Sequence, residues 1–336
     1  MKRKVGIALW AAALAICLLL ADQVTRRDDS ERKYGAFFSD EQGFDVLFLG
    51  TSRVLDGISP MELWRDYGIT SYNMGNSSEC LDVTEWVLRL ALEEHTPKVA
   101  VIDVYYIGRR VDDAWTYTYR HLFLDAVPLS PLKFKAVSAT LPRSSYLEFL
   151  MPFSLYHGRW EEILSGKTER LIDCEPFMMG GELRIGRTIP EAFERTADMN
   201  EQELPGTQAL RRIAALCRER GIEPVFMAIP APISRQEQMD VNGVVLVAQE
   251  LGVPFVNLFD VEGLVDFETD CYDEVGHMNP DGASKITAYM GDWLVGRYAL
   301  EDRRGTPGCA AWDERLAQYE AFRSEQWGEM TLLQNP

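Results

Sequence analysis

Phe44-Asp45-Val46-Leu47-Phe48-Leu49-Gly50-Thr51-Ser52-Arg53 is the stretch that decides the fold. An apolar run followed at once by glycine and two hydroxyl residues reads as a buried strand ending in a tight turn. Such a turn lifts a side chain out of the sheet, where a serine can meet both a base and a substrate. A Gly-x-Ser triplet alone is weak, since about one or two arise by chance in a chain of this size. Gly75-Asn76-Ser77 and Gly282-Ala283-Ser284 are the others here. Only Ser52 directly follows a convincing strand, although it also fits a plain helix cap.

Working outward, Ser59-Pro60-Met61-Glu62 supplies a helix start with serine as cap and proline in the first turn. Residues 69–73 read as a second strand ending in Met74-Gly75, 81–94 as a helix through Leu81, Trp86, Leu88 and Leu92, and 99–104 as a third strand. From 108 to 205 the rhythm gives way to an aromatic-rich insertion punctuated by Pro128, Pro131, Pro142 and Pro152. Its Trp115, Tyr119, His121, Tyr156, His157 and Trp160 either wall a substrate groove or pack as core. The pattern then resumes with a helix over 208–220, a strand over 225–229, a helix over 241–251 and a strand over 254–258. The expected fold is α/β, a three-layer α/β/α sandwich with about five parallel strands. Ligands in such sheets sit beyond the strands' carboxyl ends, the edge that holds Gly50, Gly75, Tyr105, Pro230 and the 260–277 loop.

The N-terminus carries Lys2, Arg3 and Lys4 and then an uncharged run from 5 to 21. Its length fits a signal peptide or an anchor, and the absence of an A-x-A site favours an uncleaved signal-anchor. The leading cations predict a cytoplasmic start and an extracytoplasmic, cell-membrane-anchored body. The expected division is a transmembrane helix over 1–22, a polar juxtamembrane stalk over 23–42, a catalytic body over 43–300 and a C-terminal tail over 301–336. Within the tail, 312–327 reads as an amphipathic helix. The six cysteines are widely spaced and leave an odd number outside the apolar run, which argues against a full disulfide framework and leaves room for at most one or two bridges. The four histidines do not cluster, so no metal site is expected. A net charge of −18 argues against nucleic acid as a partner.

Far downstream, Asp273-Glu274-Val275-Gly276-His277 places an acid and an imidazole in one loop ahead of a helix. That suits a triad in which a carboxylate fixes the histidine tautomer and the other ring nitrogen takes the serine proton. Asp103 reads as structural at the sheet edge, and Arg53 as a substrate-orienting residue or the partner of a surface acid.

Taken together, F-L-G-T-S-R, Y-N-M-G-N-S, V-I-D-V-Y and D-E-V-G-H-M-N-P-D-G-A resemble the SGNH/GDSL hydrolase superfamily. Within it they are similar to the membrane-anchored bacterial branch that includes the D-alanyl transfer protein of teichoic acids and the alginate O-acetylation proteins. The resemblance covers 44–104 and 224–293 and implies a flavodoxin-like sheet, with Ser52 as nucleophile, His277 as base and Asp273 as its orienting acid. It implies no cofactor. The family's acid commonly lies three residues before the histidine, where this chain has Glu274, so Asp273 and Glu274 both stand as candidates, with the shorter Asp273 favoured. The family's Gly-x-Asn block is replaced by Asp103-Val104-Tyr105-Tyr106, which removes a usual oxyanion donor. The hole would then rest on the N–H groups of Ser52 and Gly75, with the side chain of Asn76 or Asn73. The resemblance implies a serine esterase or O-acyltransferase acting on an acylated glycan or cell-wall polymer, with an integral-membrane O-acyltransferase as partner. The alternative is a catalytically weak glycan-binding or envelope-assembly protein on the same fold.

Overall fold

The computed structural model describes residues 2–111, 117–166 and 170–334. At its centre β1 (Val46–Leu49), β2 (Ser71–Asn73), β3 (Val99–Asp103), β4 (Glu223–Ala228) and β5 (Phe255–Asn257) form one sheet. It has five strands, all parallel, in the order β2-β1-β3-β4-β5. Val46 lies opposite Ser71 on one side and Val99 on the other. The strands are the short apolar runs read from the sequence, four of them trimmed at their ends, whereas β4 starts two residues before the expected 225 because Glu223 and Pro224 pair with Val99 and Ala100.

Before the sheet come α1 (Lys2–Thr25) and α2 (Asp28–Ser39), and α3 (Ser52–Gly57) and α4 (Pro60–Tyr67) link β1 to β2. A single helix, α5 (Leu81–Ala91), links β2 to β3. The insertion holds α6 (Tyr117–Ala126), α7 (Pro131–Thr140), α8 (Tyr146–Leu150), α9 (Phe153–Tyr156) and α10 (Trp160–Ser165). The chain closes with α11 (Thr207–Glu219), α12 (Arg235–Leu251), α13 (Pro280–Arg297) and α14 (Ala310–Gln334).

Every residue of β1 and β3 is buried, as strands covered on both faces must be. Alternation along the strands sorts their side chains between two cores. Val46, Phe48, Val99, Val101 and Met227 join one with Ile286, Met290 and Leu294 of α13. Leu47, Leu49, Ile102 and Phe226 join the other with residues of α2, α5, α6 and α11. The direction in which strands are added reverses between β1 and β3, because β2 is laid on one side of β1 and β3 on the other. That switch point opens a crevice at the carboxyl edge.

Three expectations need correction. Residues 23–42 are not a stalk, because Lys33, Tyr34 and Phe37 of α2 are fully buried. Phe37 stacks on Phe44 at 5.4 Å and meets Tyr72 edge-on at 5.2 Å. Of the charges that suggested a solvated tether, Lys33 and Asp29 are buried, and Asp28, Asp29 and Glu31 lie in the first turn of α2 where the helix dipole favours them. Nor is 301–336 a tail. Trp312 of α14 packs 5.4 Å from Trp64, and Tyr319 donates to Glu62 Oε1 at 2.8 Å. Finally, α12 begins well before the expected position 241, because Ser234 and Glu237 form a capping box ahead of the apolar periodicity.

The insertion is welded to the body, with Leu122, Phe123, Val127, Val137 and Phe149 inside the larger core. His121 stacks on Phe149 at 3.7 Å, and Tyr156 donates to Asp125 at 2.9 Å. These aromatics therefore pack as core, whereas Trp160 stays exposed and Trp115 lies outside the described residues. All six cysteines are free, with Cys17 exposed on α1 and the others buried. Helix α1 exposes its apolar side chains and is long and apolar enough to cross a membrane.

Candidate active site

The turn after β1 is fixed from beneath by β3. Gly50 has φ of +139° and a Cβ there would lie 2.5 Å from Asp103 Cβ, so only glycine lets the two strand ends come this close. Asp103 accepts from Thr51 Oγ1 at 2.5 Å, and from the N–H groups of Thr51 at 3.3 Å and Tyr105 at 3.1 Å. Burial pushes its carboxyl up, against the pull of these donors and of Arg53. Asp103 thus ties the two strand ends together across the switch point. Thr51 caps α3, and Ser52 becomes its first residue, half-buried at the crevice.

The histidine loop is built just as locally. Cys271 and Met278 form a bridge at its base, and Tyr272 N–H donates to His277 O at 3.0 Å. Asn279 caps α13, accepting from the N–H groups of Asp281 and Gly282, and Pro280 takes the first turn. Between these anchors the 273–276 turn carries Asp273 inward and leaves Glu274 exposed.

The two pieces meet in one hydrogen-bonded chain. Ser52 Oγ lies 2.8 Å from His277 Nε2, and His277 Nδ1 lies 2.7 Å from Asp273 Oδ2. The second carboxylate oxygen, Oδ1, accepts the His277 backbone N–H at 3.0 Å. Partial burial alone would raise the Asp273 carboxyl, but the ring and backbone donors of His277 and the charge of Arg53 hold it below the ordinary aspartate range. An ionised carboxylate on Nδ1 leaves Nε2 facing the serine hydroxyl as acceptor.

Gly75 and Asn76 are not brought to bear as the sequence suggested. The Gly75 N–H donates to Asn73 Oδ1 at 2.9 Å. A Cβ at Gly75 would meet Leu55 N at 2.6 Å, so this glycine is a close-approach residue beneath α3. The Asn76 side-chain amide donates to Tyr119 O at 2.8 Å, and its backbone N–H to Gly50 O at 2.8 Å. Asn73 spends its amide on the carbonyls of Val54, Leu55 and Ile58, which end α3. The Ser52 N–H, heading a helix, has no intrahelical acceptor by helix geometry.

Two residues contribute in ways the sequence did not disclose. Arg53 is buried rather than paired with a surface acid. Its Nη2 donates to Val275 O at 2.7 Å and its guanidinium lies 5.1 Å from the Tyr105 ring centre. It therefore clamps the serine helix to the histidine loop. Tyr272 lies nearly parallel to the His277 ring at 5.8 Å. Its position directly before Asp273 was the only sequence signal for it. In comparisons with known proteins, no family model matches the chain and no curated protein matches it.

Proposed function

We propose that this chain is a membrane-anchored, extracytoplasmic serine esterase or O-acyltransferase of the SGNH/GDSL type. The observation that carries the reading is the Ser52–His277–Asp273 relay, with links of 2.8 and 2.7 Å. In the proposed cycle Ser52 Oγ attacks an ester carbonyl while His277 Nε2 takes its proton. The tetrahedral intermediate collapses, the alcohol leaves with the proton returned by His277, and an acyl-Ser52 ester remains. Water or a glycan hydroxyl then attacks that ester through the same base, giving hydrolysis or transfer. The developing oxyanion falls to the N–H of Ser52, since Gly75, Asn76 and Asn73 are otherwise engaged. The acylated envelope or secreted glycan as substrate, and an integral-membrane O-acyltransferase as partner, follow from the sequence resemblance.

A second reading is favoured by those engaged donors. A site with one oxyanion donor loses on the order of a hundredfold in rate, which suits a weakly catalytic glycan-binding or envelope-assembly protein. A fluorophosphonate probe on the detergent-solubilised full chain separates the two. Wild type labels and Ser52→Ala does not, with unchanged circular dichroism. Equal labelling of both, or none in either, abandons the esterase.

A further inference from the structure

Large apolar side chains are exposed in two segments that touch each other, α1 and the insertion between 129 and 164. Elsewhere among the described residues only Ile189, Met199, Leu246, Val275 and Val295 are exposed in this way. In the insertion the set nearest α1 is Leu155 at 44% exposure, Trp160 at 49% and Leu164 at 85%. Leu155 lies on α9, which docks on the end of α1, and Trp160 and Leu164 lie on α10, which follows it directly. Asp22, the first charged residue after the apolar run, accepts the Phe153 N–H at 2.6 Å, and Arg159 donates to Thr25 O at 3.1 Å. Arg26 adds a bond to Asp125 O at 2.7 Å.

We propose that α9 and α10 rest on the bilayer surface beside the exit of α1, with Leu155, Trp160 and Leu164 inserted among the lipid headgroups and upper acyl chains. The height is set by chain reach. Phe153 is hydrogen-bonded to Asp22, the residue just past the apolar run, and Leu155 is two residues on, within about 7 Å of chain. An interfacial segment buries its apolar face roughly 5–10 Å into the headgroup boundary, so Leu155 falls inside that zone. Trp160 is of the residue type that prefers this depth. Charge is compatible as well. The chain carries −18, yet in 129–166, with the buried Lys133 set aside, Lys135, Arg143 and Arg159 balance Glu148, Glu161 and Glu162, so this face is spared the repulsion that an anionic leaflet exerts on the rest. A span plus an interfacial foot holds the body at a fixed tilt over the membrane, instead of swinging on a tether.

The inference rests on α1 spanning the bilayer, and the test reads that separately. In the full chain reconstituted into phosphatidylcholine–phosphatidylglycerol vesicles, an environment-sensitive dye is placed on native Cys17. In a Cys17→Ser background it is placed instead on Leu164→Cys, and on Leu246→Cys as an exposed apolar control. Lipids brominated along the acyl chain are expected to quench Cys17 and Leu164→Cys by about twofold or more while sparing Leu246→Cys. Quenching at Cys17 with none at Leu164→Cys overturns the foot. Lack of quenching at Cys17 as well overturns the span and the foot with it. A Leu164→Cys dye shielded from aqueous iodide but untouched by brominated lipid means that protein covers the patch, and also overturns the proposal.

Discussion

Asp273 engages His277 through both carboxylate oxygens, one on the ring and one on the backbone N–H. Glu274, one residue closer to the histidine, sits exposed on the turn. The two acids that the sequence left side by side are thus separated by which one the turn carries inward. If the relay is catalytic, Asp273→Asn lowers the fluorophosphonate labelling rate by roughly a hundredfold or more, because the amide no longer fixes the productive tautomer. Glu274→Gln changes it by less than about twofold, as expected for an exposed side chain. Comparable losses in the two variants would remove Asp273 from its role. The sign of the pH effect follows from the lowered Asp273 carboxyl. A carboxyl depressed in the folded state stabilises the fold above its unfolded value, and this contribution is lost as pH falls through the folded one.

At the scale of elements, α2 is the sharpest departure from the sequence reading. Counting charges in 26–33 points to a tether, yet Tyr34 and Phe37, three residues apart, form an apolar stripe that meets Phe123 of α6, Phe44 and Tyr72 of β2. Truncating a fully buried aromatic costs about 3–5 kcal/mol, so Phe37→Ala is expected to lower stability by that amount in denaturant melts of the solubilised protein. A loss below about 0.5 kcal/mol, the size usual at the surface, would restore the stalk. Helix α12 teaches the complementary lesson. Its start was legible in Ser234 and Glu237, a capping signal that counts for more than apolar periodicity where the first turns are polar. The β1–turn–α3 unit was legible because strand, glycine and cap are consecutive in the chain.

Across the whole molecule the larger core encloses ionisable groups beneath the crevice. Burial raises Glu79 from 4.5 to about 8, and burial lowers Lys33 from 10.5 to about 8. Between pH 4.5 and 8 the unfolded chain ionises Glu79 while the folded one keeps its proton, so stability falls as pH rises through this range. For Lys33 the unfolded chain binds more protons between pH 8 and 10.5, so its burial becomes less costly as pH rises there. Thermal melts of wild type should therefore lose midpoint from pH 5 towards pH 8, and Glu79→Gln should flatten that slope, each 1 kcal/mol being worth roughly 2–4 °C. An unchanged slope in the variant would mean that Glu79 is ionised in the fold.

The sequence by itself determined the parallel α/β sheet, the apolar N-terminal helix, and the serine and histidine that meet at the sheet edge, and it narrowed the acid to Asp273 or Glu274, between which the turn decided. Each is written in consecutive residues, as an apolar run, a tight glycine or a helix cap, and local signals survive without tertiary context. The tertiary structure alone decided which donors remain free. The side chains of Asn73 and Asn76 looked available until the carbonyls of α3 and of Tyr119 were brought against them, and Asn73, so held, takes the Gly75 N–H on its Oδ1. Packing likewise decided that α2 and α14 belong to the body and that Arg53 clamps the two halves of the site. Hydrogen-bond capacity is a property of the residue, but its use depends on which distant groups the fold brings within 3 Å.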